Sequence, residues 1–202
     1  LRNLVVRENH SASQGAGLFC ESDSDPLITF CTFYANSAAT GAAIWTANGS
    51  EPAVEDSLFS ANERIANGGA VASGAAASFL RCTFANNRAW GGNGGAINNP
   101  SHALTLRDCE FDGNLTARSG GAVDCGGSGV AVKISRSRFR NNAVGYGIGG
   151  ALYLGNVSAQ VVNGVFDSNI SVDASGKGGG LYASSGSNAL KVTNCLFVHN
   201  GA

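Results

Sequence analysis

GGAINNPSHALTLRDCEFDGNLTARSGGAV, residues 94–123, holds one complete cycle of a pattern that fills the whole chain. It opens on Gly94-Gly95-Ala96-Ile97, runs through the alternating Leu104-Thr105-Leu106, reaches Phe111 with Asn114 three residues later, and closes on the next Gly120-Gly121-Ala122-Val123. On both sides of it, Phe-x-x-Asn recurs at Phe33/Asn36, Phe59/Asn62, Phe84/Asn87, Phe111/Asn114, Phe139/Asn142, Phe166/Asn169 and Phe197/Asn200, with Val6/Asn9 as a degenerate first copy. Gly-Gly-Ala plus an aliphatic residue is strict from Gly68, Gly94, Gly120 and Gly149, and loosened from Gly15, Gly41 and Gly178. The two motifs alternate, and successive Phe positions lie 25 to 31 residues apart. A unit that short cannot bury its own apolar face, so it reads as one coil of a solenoid stabilised by its neighbours.

Upstream of each Phe the residues seven and five positions earlier are mostly apolar, as in Leu104/Leu106, Val132/Ile134 and Leu190/Val192, with Thr105, Lys133 and Lys191 between them. That is the period-two alternation of a strand with one buried face. The residue two before Phe is Cys31, Ser57, Cys82, Cys109, Ser137, Gly164 or Cys195, expected to point inward with the ring. The corner three before Phe runs Asp56, Arg81, Asp108, Arg136, and alternation of sign from coil to coil predicts an outward charge ladder. The expected architecture is all-β: a right-handed parallel β-helix of about seven coils, the seven Phe rings in an internal column and the seven Asn side chains stacked at a turn. An asparagine there can bond backbone and adopt the left-handed conformation, while Gly-Gly permits positive φ and close approach of adjacent coils. Residues 1–202 read as a single β-helix segment of a longer repeat protein.

Composition agrees with one packed unit. Of 202 residues, 44% are hydrophobic and 13% charged, enough apolar material for a core and too little charge for disorder. Glycine is abundant, at 29, yet shows no collagen period, and proline numbers only 3. A formal net charge of −1 with scattered Lys and Arg gives no electrostatic basis for a nucleic-acid partner. No apolar run reaches the ~18 residues of a spanning helix, so this segment is not expected to insert directly in a membrane.

The alternation of Phe-x-x-Asn with Gly-Gly-Ala-Ile/Leu/Val resembles the repeat of the polymorphic outer-membrane proteins best known from chlamydiae, built on a pectin-lyase-like right-handed parallel β-helix. The resemblance covers the whole chain. It implies an extracellular or cell-surface location and an adhesin-like passenger of the autotransporter type.

Chemistry-bearing constellations are sparse. The acidic residues largely alternate with arginines, and Glu21, Asp23 and Asp25 form the one local cluster, read as a solvated loop in preference to a weak calcium site. His10 and His199 fall near opposite ends of the rod, and no Ser/His/Asp or Cys/His set assembles with His102, so no catalytic residue, metal ligand or cofactor site is assigned. None of six cysteines has C-x-x-C spacing. Cys31, Cys82, Cys109 and Cys195 share one inward repeat position and read as small core hydrophobes, with Cys82 and Cys109, on adjacent coils, a candidate disulfide. Five Asn-x-Ser/Thr sequons begin at Asn9, Asn48, Asn114, Asn156 and Asn169. Asn9, Asn114 and Asn169 belong to the ladder and should be buried, leaving Asn48 and Asn156, expected in loops, as candidate glycosylation sites.

Two functions fit this reading. Loops that vary between coils, at 89–93, 98–102 and 144–148, could present Trp90 and Tyr146 to a protein or glycan partner, which makes the chain a non-enzymatic adhesin-like passenger or display scaffold. The alternative is a structural building block of a surface filament, appendage or cell-wall layer, in which the partners are copies of this chain or other chains. A regular threonine array for ice binding is interrupted, since Leu58 stands between Thr32 and Thr83 in the repeat.

Overall fold

The computed structural model describes residues 1–173, 175–184, 186 and 189–202. It is an all-β parallel solenoid of about seven turns. One sheet of eight strands carries the Phe positions: Val5–Arg7, Thr32–Tyr34, Leu58–Ser60, Thr83–Ala85, Glu110–Asp112, Arg138–Arg140, Val165–Asp167 and Leu196–Val198, paired in that order. Its register sets Phe on Phe, as in Phe84↔Phe111 and Phe111↔Phe139. The seven rings stack with centroids 4.6–5.0 Å apart and their planes nearly parallel. Phe33 to Phe166 are fully buried, whereas Phe197 in the last coil is 46% exposed.

Just beyond the asparagines runs a second sheet of two-residue strands, Ser37–Ala38, Glu63–Arg64, Arg88–Ala89, Leu115–Thr116, Ala143–Val144 and Ile170–Ser171. The third sheet combines strands that follow the glycines, such as Ile44–Thr46 and Ile97–Asn99, with strands that precede Phe, such as Ala53–Glu55 and Leu104–Arg107. In two coils these merge into the continuous strands Val123–Ser135 and Leu152–Val162. The alternation upstream of Phe thus marks only one of several strand segments per coil.

The asparagine ladder is more completely bonded than a side-chain stack requires. The Nδ2 of Asn87 donates to Asn114 Oδ1 at 3.0 Å and to the carbonyl of Phe59 at 3.0 Å, and the Asn87 backbone N–H also donates to Asn114 Oδ1. Asn62, Asn114, Asn142 and Asn169 repeat the arrangement. Each amide therefore satisfies backbone of adjacent coils instead of its own turn.

Asn36 is buried and keeps the same arrangement, its N–H and Nδ2 donating to Asn62 Oδ1 and its Nδ2 also, at 2.9 Å, to the carbonyl of Val6, which holds the Phe position in the first coil. Asn200 is only half-buried, unlike the fully buried Asn36 to Asn169. Its Oδ1 accepts from Asn169 and its Nδ2 donates to the Phe166 carbonyl at 2.8 Å, with no described coil on its other side to take a further bond.

Nor is the ladder asparagine the left-handed residue. Positive φ falls on the residue before it, Ala35, Ala61, Asn86, Gly113, Asn141, Ser168 and His199, and on the corner residue three before Phe, including Asp56, Arg81, Asp108 and Arg136. Asn36 and Asn200 follow this rule with the others, the turns before them falling on Ala35 and His199. The chain must turn on either side of a three-residue strand, and one αL residue achieves each turn.

Gly94 and Gly95 divide the work of their motif. Gly94 has φ +66, and a Cβ on Gly95 would stand 2.0 Å from the carbonyl oxygen of Gly121 in the next coil. The first glycine turns the chain and the second lets two coils touch.

Ion pairs at the corner couple coils in twos. Arg81 grips Asp56 at 2.6 and 2.8 Å, and Arg136 grips Asp108 at the same distances. Arg140 reaches back to Glu110 and Asp112. The alternating charges thus make bidentate Arg–Asp pairs on the surface, to which Glu55 adds a contact with Arg81 at 3.3 Å and Arg107 one with Asp108 at 3.4 Å.

Candidate functional site

Between each small-sheet strand and the following Gly-Gly the chain forms a loop, and these loops lie one above another along a single edge of the solenoid. Main-chain bonds tie them from coil to coil: Trp90 N–H to Arg64 O, Arg118 N–H to Gly92 O, Tyr146 N–H to Ala117 O and Val172 N–H to Val144 O. Side chains under the loops add to this, with Thr116 Oγ1 donating to Gly92 O at 2.6 Å and Ser171 Oγ donating to Gly147 O. The edge is therefore a bonded surface. It presents Ile65, Trp90, Tyr146 and Val172, exposed by 75%, 51%, 83% and 63%.

Trp90 and Tyr146 share this edge but not a recess. Trp90 closes one of about 370 Å³ lined by His10, Ser11, Ser37, Glu63, Arg64 and Ile65. Tyr146 borders another of about 610 Å³ with Gly91, Arg118, Ser119, Ile148 and Ser175. The guanidinium of Arg88 lies 5.5 Å from the Trp90 ring centroid and fixes the indole. The loop at 98–102 is elsewhere on the coil, since Asn98 and Asn99 end a strand of the third sheet and both are buried.

Two buried ionisable side chains escape a reading of the repeat. Arg64 occupies an inward position of the small sheet, in register with Ala38 and Ala89, and is 1% exposed. None of its three guanidinium nitrogens has a hydrogen-bond partner. Burial pulls its pKa down to about 9. Asp124 is 4% exposed and accepts one bond from Asn98 Nδ2 at 3.2 Å. Burial pushes its pKa up to about 7 against the weaker effect of that bond. A signal for Arg64 does exist in the repeat: two residues after the ladder asparagine the other coils carry Ala38, Ala89, Thr116, Val144 and Ser171, so an arginine there is the anomaly.

The remaining candidates separate. Cys82 and Cys109 are free thiols, so the candidate bridge between them is not formed. Their sulfurs also meet main-chain carbonyls, Cys82 those of Leu80 and Val54, Cys109 those of Arg107 and Phe79. Hydrogen bonding between the two thiols raises the Cys82 pKa, with burial adding to it, and lowers that of Cys109. Asn48 sits exposed in a turn, but Asn156 lies within the strand Leu152–Val162, exposed at a kink with φ 57, not in a loop. Asn114 and Asn169 are buried, while Asn9, in the first coil with a neighbour on one side only, is exposed. Asp25 accepts the N–H of Glu51, and among the described residues no group of three or more His, Cys, Asp or Glu converges as a metal site.

No curated protein and no solved structure matches the chain. Residues 2–122, more than half of its length, match the family described as the right-handed β-helix region, and the chain belongs to that family.

Proposed function

We propose that this β-helix is a non-enzymatic recognition scaffold, displayed outside the cell or on its surface as an adhesin-like passenger, that meets a protein or glycan partner through its loop edge. The observation that carries the reading is the row of solvent-facing Ile65, Trp90, Tyr146 and Val172 on loops bonded to one another at the main chain. Large side chains held in fixed positions lose little conformational entropy on binding, which is where recognition gains affinity. The resemblance of the repeat to polymorphic outer-membrane proteins supports placement at a surface. The test is binding of the labelled chain to intact cells and to an immobilised glycan panel, beside the Trp90→Ala/Tyr146→Ala double variant. Saturable binding lost by at least ~10-fold in the variant, with unchanged thermal unfolding, is expected. Absence of binding together with concentration-dependent growth of fibres by sedimentation would overturn it in favour of the filament role.

A further inference from the structure

We infer that Arg64 anchors an acidic-saccharide subsite in the recess beside Trp90, taking a sugar ring that bears one carboxylate or sulfate. The inference rests on the recognition reading and names its ligand class.

A guanidinium with five donors and no acceptor is costly to bury, and the cost persists while the group stays unpaired. Elsewhere on this inward column the polar residues are satisfied, Thr116 and Ser171 each donating to a loop carbonyl. Arg64 by contrast lines a recess open to solvent, and all of its guanidinium nitrogens lack partners. An anion entering the recess supplies the missing acceptor, and a planar fork matches the paired oxygens of a carboxylate or sulfate. The nitrogens are shielded from solvent as they stand, so binding draws the flexible side chain toward the recess and exchanges an unpaired position for a paired one.

The walls narrow the class. Trp90 offers an exposed ring held by Arg88, suited to the apolar face of a sugar, and His10, Ser11 and Ser37 offer bonds to its hydroxyls. Glu63 lines the same recess and pairs in strand register with Arg88, offsetting one of the two cations. That balance suits a single acidic group over a densely charged polyanion.

The experiment is a fluorescence titration of the full chain carrying Trp45→Phe, so that Trp90 is the one indole, with glucuronate, galactose 6-sulfate, glucose and inorganic sulfate. A saturable change with glucuronate or galactose 6-sulfate and none with glucose is expected, and the tighter of the two acids identifies the group. Arg64→Met should weaken it at least ~10-fold while folding as well as the parent, since it removes an unpaired buried charge. Arg64→Lys, which keeps the charge and loses the fork, should weaken it as well. Equal titration by the parent and both variants, no saturable response to either acid, or a response to inorganic sulfate alone would overturn the subsite. Tyr146→Ala should leave this titration unchanged. Retention of cell or glycan binding by the Trp90/Tyr146 edge after such a failure would show that the scaffold reading survives it.

Discussion

Asn114 shows how much one side chain can carry in a solenoid. Its Oδ1 takes two donors from Asn87, and its Nδ2 serves Asn142 and the Phe84 carbonyl. Asn114→Ala orphans several buried polar groups at ~1–3 kcal/mol each and should cost more than ~3 kcal/mol in urea unfolding, whereas exposed Asn9→Ala should cost under ~1. Gly95→Ala, which drives a Cβ to 2.0 Å from the Gly121 oxygen, should prevent close stacking of two coils, while Gly145→Ala, whose nearest neighbour would be 3.8 Å away, should be tolerated. Thermal melts of the pair check this. Asp124 predicts a pH dependence. Its folded pKa of about 7 lies above the ~3.9 of an unfolded aspartate, so the folded state holds a proton between those values that the unfolded state releases. Stability should therefore fall as pH rises from ~4 through about 7 and then level off, by on the order of 2–4 kcal/mol, and Asp124→Asn should be more stable than the parent at pH 8 with that slope removed.

At the scale of elements, the Phe sheet and the loop edge obey different rules. A ring in the column contacts another above and below, so Phe111→Ala removes buried area and opens a cavity bounded by Phe84 and Phe139; a loss of ~3–5 kcal/mol is expected, against under ~1 for Tyr146→Ala on the exposed edge. Equal losses in chemical denaturation would contradict the column as the seat of stability. The cysteine position follows the same logic as the serines that replace it. Ser57 and Ser137 donate to the carbonyl two residues earlier, as Cys82 and Cys109 do, and each side chain also bonds the adjacent coil, Ser57 and Ser137 accepting the N–H of Cys31 and Cys109, Cys82 and Cys109 donating to Val54 and Phe79.

Over the whole molecule each coil bonds only to the coils beside it, which makes the solenoid quasi-one-dimensional. In this 202-residue chain, amide exchange should be slowest at Asn87 and Asn114 and faster at Phe19 and Val198, and uniform protection would show that the coils open as one unit instead. The repeat alone dictates the parallel β-helix, the Phe column and the Asn stack, because a residue found in every coil can face only one way if the coils are in register. It does not show that the left-handed turn residue is the one before each asparagine, since Ala35, Asn86 and Ser168 share a conformation and no chemistry. Arg64 and Asp124 stay hidden for a related reason: a charge occurring once in a repeat reads as surface variation until the columns beside it are closed. Exposure belongs to the stacked assembly of coils and not to any one of them, so the meeting of Trp90 and Arg64 in one recess emerges only on folding.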